Sequence, residues 1–136
     1  MSEHIKAIIV DDDSVSNSLV KLSLSKIGGL TDIISFISAS RALEKIRDFD
    51  INLFNDYPTI ILLDINLPIM NGWMFLNEFD KLNECIKSHY KIYMLSSSID
   101  WRDIELAKEN KNVSGYFVKP LLHDKILSLL KDVELA

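Results

Sequence analysis

Apolar residues occur along the chain in short runs that end at polar residues, and between these runs they recur at helical spacing. Four consecutive apolar residues, 60–63, are typical of a strand that is buried on both faces, as in a parallel sheet. Similar short runs predict strands over 6–10, 33–37, 91–95 and 115–118. The pattern therefore predicts five strands.

Helical spacing follows each predicted strand. The positions that recur at this spacing are Val15, Leu19, Leu22 and Ile27; Leu43 and Ile46; Phe75, Leu76, Phe79 and Leu82; Ile104 and Ala107; and Leu122, Ile126, Leu129, Leu130 and Val133. Asp13 or Ser14, Ser38 or Ser40, and Asp100 are suitable N-caps for the first, second and fourth helices. Five strands that alternate with five helices predict an α/β fold with a parallel sheet covered on both faces. The link over 48–57 is longer than usual, and its boundaries stay unassigned.

Length and composition narrow the classes of protein. The 136 residues fit a single domain over 1–136, without room for an output domain. The chain begins without a signal peptide, its apolar runs are too short to span a membrane, and Cys85 is its only cysteine, so we expect a cytoplasmic protein. A net charge of −5 without a basic cluster argues against direct nucleic-acid binding.

Chemically useful groups follow four of the five predicted strands. They are the Asp11-Asp12 pair, Asp64, Ser96 and Lys119. Because the carboxyl ends of parallel strands meet at one edge of a sheet, these groups should converge. Carboxylates bind a hard cation such as Mg²⁺, a lysine and a hydroxyl stabilise phosphoryl oxygens, and a remaining carboxylate can act as a nucleophile. Taken singly, each residue has a structural explanation as a helix cap, a turn residue or a satisfied polar group.

The sequence resembles the CheY-like receiver domains of two-component response regulators. The motifs that carry the resemblance are VDDD at 10–13, LLDINLPIMNG at 62–72, MLSSS at 94–98 and GYFVKP at 115–120. In order and spacing they cover the whole chain. The resemblance implies a doubly wound, flavodoxin-like (βα)5 fold with strand order 2-1-3-4-5.

The resemblance also implies a role for each acidic residue. Asp64 would be the phosphoacceptor and would form an acyl phosphate. Asp12, Asp64 and the backbone carbonyl of Asn66 would bind Mg²⁺ directly, and Asp11 would assist through a water molecule.

A switch is implied by the remaining motifs. Ser96 would donate a hydrogen bond to the phosphoryl group, Lys119 would pair with a phosphoryl oxygen, and Tyr116 would move inward as Ser96 shifts. The Lys119–Pro120 peptide is open to the cis form because proline makes that form accessible. These shifts would alter a face made by the fourth helix, the fifth strand and the fifth helix.

The implied function is that of a stand-alone response regulator in a phosphorelay. A sensor histidine kinase or a histidine phosphotransfer protein would supply the phosphoryl group, and a downstream protein would bind the switch face. The protein would be a monomer or a phosphorylation-dependent dimer. It would catalyse only its own phosphorylation and dephosphorylation, and Trp101 at the switch face leaves the identity of its partner open.

Two alternatives remain. In a haloacid-dehalogenase-like phosphatase Asp11 would be the nucleophile and Asp13 the general acid, with Ser96 and Lys119 in the next two motifs. That class needs a further acidic pair after Lys119, and it gives Asp64 no role. The second alternative is a receiver-like interaction module that takes no phosphate.

Overall fold

Five parallel strands form one sheet in this computed structural model, which describes residues 5–26, 30–48, 58–97, 99–121 and 123–135. The strands are β1 (Ile5–Val10), β2 (Leu30–Phe36), β3 (Thr59–Asp64), β4 (Tyr90–Ser96) and β5 (Val113–Val118). Their order in the sheet is β2-β1-β3-β4-β5. The predicted fold class and strand order are confirmed.

Six helices accompany these strands in the described part of the chain. They are α1 (Ser14–Lys26), α2 (Ala39–Arg47), α3 (Gly72–Asp80), α4 (Glu84–His89), α5 (Trp101–Glu109) and α6 (His123–Leu135). The predicted number of five is wrong because of α4. This helix has only six residues and buries none of them, so the sequence contains no apolar repeat that would predict it. Its N-cap is Asn83, whose side chain accepts the N–H of Ile86 at 3.1 Å. The predicted fourth and fifth helices are therefore α5 and α6.

Alternation of side chains along each strand produces two apolar cores, one on each face of the sheet. On one face Val10 and Leu63 pack with apolar residues of α2, α3 and α5. On the other face Ile9 and Leu62 pack with residues of α1 and α6. All six residues of β3 are buried, as expected for the central strand of a sheet covered on both sides.

The buried face of α1 differs from the prediction. Val15, Leu19 and Leu22 are 66%, 60% and 53% exposed. The residues that α1 buries are instead Asn17, Val20 and Leu24. Both sets recur at intervals of three and four residues, so periodicity predicts the helix but cannot choose between its faces.

The predicted caps are confirmed where the structure describes them. Asp13 accepts the N–H of Val15 at 2.9 Å, and Ser38 and Asp100 cap α2 and α5. Ile27 and the link over 49–57 lie outside the described residues, as do Ser98 and Leu122. None of the helices in the described ranges has the length and apolar content needed to cross a membrane.

Candidate acidic site

Strand register places two carboxylates side by side at the carboxyl edge of the sheet. Val10 of β1 pairs with Leu63 of β3, so the next residue of each chain segment is an aspartate, Asp11 beside Asp64. These residues are 1% and 6% exposed. The backbone N–H of Asp11 donates to the carbonyl of Phe36 at 3.0 Å, which anchors it to the end of β2.

Lys119 connects the two carboxylates. Its Nζ donates to Asp11 Oδ2 at 2.5 Å and to Asp64 Oδ2 at 3.2 Å. Its backbone N–H donates to the carbonyl of Ser96 at 2.7 Å, and the Lys119–Pro120 peptide is cis. The residues that follow β1 and β5 and the last residue of β3 therefore meet through one ammonium group.

Backbone groups hold the other carboxylate oxygens. Asp11 Oδ1 accepts the N–H of Asp13 at 3.0 Å, and Asp64 Oδ1 accepts the N–H of Asn66 at 3.1 Å. Each carboxylate thus receives one hydrogen bond from its own following turn and one from Lys119. This arrangement orients both groups before any ligand arrives.

The two carboxyl groups differ in acidity. Burial would raise the pKa of Asp11, but hydrogen bonds from Lys119 and from the N–H of Asp13 outweigh it and leave the pKa below its ordinary value of 3.8. At Asp64 burial prevails and raises the pKa, although the N–H of Asn66 and the ammonium oppose it. Burial would lower the pKa of Lys119, yet both carboxylates together raise it. Lys119 is therefore charged at neutral pH.

A third carboxylate completes a set of hard oxygen donors. Carboxylate oxygens of Asp11, Asp12 and Asp64 lie within 4.8 Å of one another, and Asp12 is exposed on the solvent side. Ligands on opposite sides of Mg²⁺ are about 4.2 Å apart, because each metal–oxygen bond is about 2.1 Å long. Small side-chain rotations would therefore fit the three groups to one divalent cation.

Ser96 and Tyr116, the residues predicted to form a switch, lie on neighbouring strands. Ser96 is 1% exposed and pairs with Val118, and Tyr116 pairs with Met94, so both face the same side of the sheet. The hydroxyl oxygen of Tyr116 is buried and has no hydrogen-bond partner among the described residues. The Tyr116 side chain lines a groove of about 510 Å³ between α5 and β5.

The loop from β3 to α3 packs closely against the backbone of Asp64. A Cβ atom at Gly72 would lie 2.9 Å from the Cα of Ile65 and 3.0 Å from the carbonyl oxygen of Asp64. Only glycine fits here without displacing the strand end. Ile69 in the same loop is fully exposed and has a φ of 66°, in the left-handed region that β-branched residues rarely adopt. Asn66, whose carbonyl is a predicted ligand, is exposed beside the carboxylates.

Asn17 is a residue near the site that sequence reasoning missed. Its Nδ2 donates to the backbone carbonyl of Asp11 at 2.7 Å, from the buried face of α1. Asn17 has helical spacing to Val20 and Leu24, so the sequence could have indicated it as a polar residue on an otherwise apolar face of the helix. Asp13, the general acid of the phosphatase alternative, instead caps α1 through the N–H groups of Val15 and Ser16.

Strand order and the acidic edge together define a CheY-like α/β protein. A family model for the response regulator receiver domain matches residues 7–131. The chain therefore belongs to the response regulator receiver family.

Solved structures of the same family are similar over nearly the whole chain. A response regulator receiver protein from Dyadobacter fermentans is 31% identical, with a TM-score of 0.84, and the match covers 96% of this chain and 98% of that one. A two-component response regulator from Cytophaga hutchinsonii is 28% identical, with a TM-score of 0.87 and coverage of 97% and 98%. One from Legionella pneumophila is 28% identical, with a TM-score of 0.78 and coverage of 98% and 100%. No curated protein sequence gives a significant match.

Proposed function

We propose that this receiver domain accepts a phosphoryl group on Asp64 from a phosphohistidine, with Mg²⁺ held by Asp12, Asp64 and the Asn66 carbonyl and assisted by Asp11. The observation that carries the proposal is the contact of Lys119 with both buried carboxylates, beside the exposed Asp12. Buried carboxylates cost free energy, and one that serves only as a turn residue would be placed in solvent. The Asp64 carboxylate here is oriented and partly desolvated, and it lies beside the exposed Asp12.

Each side chain of the site has a separate role in the transfer of the phosphoryl group. A carboxylate oxygen of Asp64 attacks phosphorus, the P–N bond breaks, and its electron pair returns to the imidazole of the donor. Lys119 moves from the carboxylate to a phosphoryl oxygen, and Ser96 donates a hydrogen bond to another. A bound Mg²⁺ supplies positive charge that offsets the charge of the phosphoryl oxygens. Attack of water on the acyl phosphate later releases inorganic phosphate and restores the carboxylate.

The exposed face of α1 supports docking of the phosphohistidine donor. Val15, Leu19 and Leu22 line a groove of about 530 Å³ that ends at Lys119, beside the acceptor. The helix has Lys21 and Lys26 and no acidic residue, so it complements a helical surface with apolar and acidic side chains. Leu19→Ala should slow transfer from a phosphohistidine protein more than labelling by acetyl phosphate, with both followed by intact mass.

The switch face would lie at α5, β5 and α6. The groove beside Tyr116 and the large apolar side chain of Trp101, which is 73% exposed, support the binding of a protein partner at this face. Ser96→Ala should reduce the change that phosphorylation produces in the backbone amide NMR signals of α5. An equal change in wild type and variant would remove Ser96 from the switch.

Intact mass after incubation with acetyl phosphate and Mg²⁺ tests the acceptor. Wild type should gain one labile phosphoryl group, and Asp64→Asn should gain none. Asp80→Asn is the matched control, because Asp80 is an exposed aspartate that also contacts lysines. Asp11→Asn should reduce the rate, since it removes one carboxylate from the cation site.

Other outcomes identify the two alternatives. Steady release of phosphate that persists in Asp64→Asn but requires Asp11 would indicate a phosphatase. Neither labelling nor release in the wild type would favour an interaction module that takes no phosphate.

A further inference from the structure

Asn17 is a buried polar residue to which the proposed function assigns no role. It is 6% exposed and lies with Val20 and Leu24 on the face of α1 that packs on the sheet. Its Oδ1 is buried and has no hydrogen-bond partner in the part of the chain that the structure describes, whereas its Nδ2 donates to the carbonyl of Asp11 at 2.7 Å. An unpaired buried acceptor destabilises a fold, so packing alone would favour an aliphatic residue at this position.

The contact determines the orientation of the amide. Rotating the side chain by half a turn would place Oδ1 against the carbonyl of Asp11, and two acceptors cannot share a hydrogen bond. Nδ2 therefore has to face Asp11. The one hydrogen bond that the Asn17 side chain makes among the described residues is directed to the backbone of the acidic site.

The accepting carbonyl lies in the planar peptide unit that joins Asp11 to Asp12. Rotation of this unit would change the direction in which the Asp12 side chain leaves the backbone. The N–H of Asp11 is already held by Phe36 at 3.0 Å, so the bond from Asn17 is the second constraint on the same short segment. Together they fix the relative placement of the two carboxylates.

We propose that Asn17 is a positioning residue that orients the Asp11–Asp12 peptide, and through it both carboxylates, for the divalent cation. The inference rests on the proposed function, since the cation is the Mg²⁺ of that site. Asn17 acts through the backbone of Asp11 rather than as a ligand. Outer-shell groups of this kind commonly change metal affinity by about tenfold or more when removed.

Calorimetric titration with Mg²⁺ and urea unfolding, on the same proteins, test this role. Asn17→Ala should raise the Mg²⁺ dissociation constant about tenfold. Val20→Ala is the matched control, because it removes buried atoms from the same face of α1 and keeps the Asn17 side chain that donates to Asp11. Both variants should lower the urea midpoint, but only Asn17→Ala should weaken Mg²⁺ binding.

Asn17→Leu is a second variant that tests the same role if Asn17→Ala does not fold. Leucine fills the apolar face and removes the unpaired Oδ1, but it cannot donate to Asp11, so Mg²⁺ binding should weaken in a folded protein. Unchanged affinity in either Asn17 variant, or an equal loss in Val20→Ala, would overturn the positioning role and leave the proposed function standing. A wild type that binds no Mg²⁺ would overturn both.

Discussion

Two clusters of aspartate and lysine lie at opposite ends of the strands, one at the carboxyl edge of the sheet and one at its amino edge. They differ in burial more than in composition. At the carboxyl edge the Asp64 side chain is 9% exposed and lies 3.2 Å from Lys119. At the amino edge the Asp80 side chain is 46% exposed and lies 3.2 Å from Lys87 and 3.5 Å from Lys111. The contact distances are therefore similar.

The two aspartates nevertheless respond in opposite directions. Hydrogen bonds from Asn112 and Lys87 lower the pKa of Asp80, because solvent still hydrates the carboxylate and desolvation is small. Burial raises the pKa of Asp64 despite the nearby ammonium. At the same distance of 3.2 Å, the ion pair of Asp80 favours its charged form at the surface, whereas the ion pair of Asp64 does not compensate for desolvation in the interior. Asp11, which is closer to Lys119 and also accepts the N–H of Asp13, does overcome its burial. The carboxyl edge therefore contains a carboxylate, Asp64, whose negative charge does not stabilise the fold.

Removing the buried ammonium should produce the largest effect. Lys119→Met leaves Asp11 and Asp64 facing each other without a counter-charge. We expect the free energy of unfolding at neutral pH to fall by about 2 kcal/mol, less than for a fully buried pair, because Lys119 is 18% exposed. Urea unfolding without Mg²⁺ measures the change.

Lys111→Met is the control at the amino edge, where the urea midpoint should not change measurably. Excess Mg²⁺ should restore part of the stability of Lys119→Met, because a cation bound by the carboxylates replaces the lost charge. Equal losses in the two variants would contradict the contrast between the edges.

Neutralising one aspartate at each edge should give changes of opposite sign. Because its folded-state pKa is raised, ionised Asp64 destabilises the fold above that pKa, and the neutral Asp64→Asn should raise the free energy of unfolding at pH 7, by less than the loss in Lys119→Met. Asp80→Asn loses a favourable charge and should lower stability slightly. Chemical unfolding of both variants beside wild type provides the comparison, and a loss of stability in Asp64→Asn would contradict it.

The smallest effect concerns a histidine at the amino edge that is partly buried. His89 Nε2 lies 2.8 Å from Thr59 Oγ1, and burial, with repulsion from Lys6, lowers its pKa below the ordinary 6.5. The unfolded chain takes up this proton at a higher pH than the folded one, so stability should decrease as pH falls below about 6.5.

Unfolding curves between about pH 7.5 and about pH 5.5 should show this decrease, of less than about 1 kcal/mol. His89→Gln should flatten it, while His4 and His123 remain in both proteins as an internal control. An unchanged slope in His89→Gln would show that the half-buried imidazole does not control the acid sensitivity.

Residues at strand ends were the most predictable part of the molecule. A run of apolar residues that stops at Asp64 or Lys119 marks both the strand and the group it presents. Parallel pairing then brings these ends to one edge, so the candidate site follows from the topology. The hydrogen bonds of Lys119 with Asp11 and Asp64 agree with that prediction.

Features that depend on side-chain packing were less predictable. α1 has apolar residues on two faces, and only the fit to the sheet decides that Leu24 is buried while Leu19 is exposed. The hydrogen bond from Asn17 to Asp11 depends on the angle at which α1 crosses the sheet, which the sequence does not reveal. α4 is too short for any repeat, and it depends on its Asn83 cap and its contacts with neighbouring elements.

The contact between Lys119 and Asp11 joins residues 108 positions apart. During synthesis both carboxylates leave the ribosome well before the lysine does, and β5 has to align beside β4 before the ammonium reaches them. Domains generally gain such long-range contacts late in folding. A nascent or truncated chain without β5 therefore carries an acidic edge with no counter-charge. The acidic edge gains its counter-charge only when β5 completes the sheet, so the proposed acceptance of a phosphoryl group would be limited to fully folded molecules.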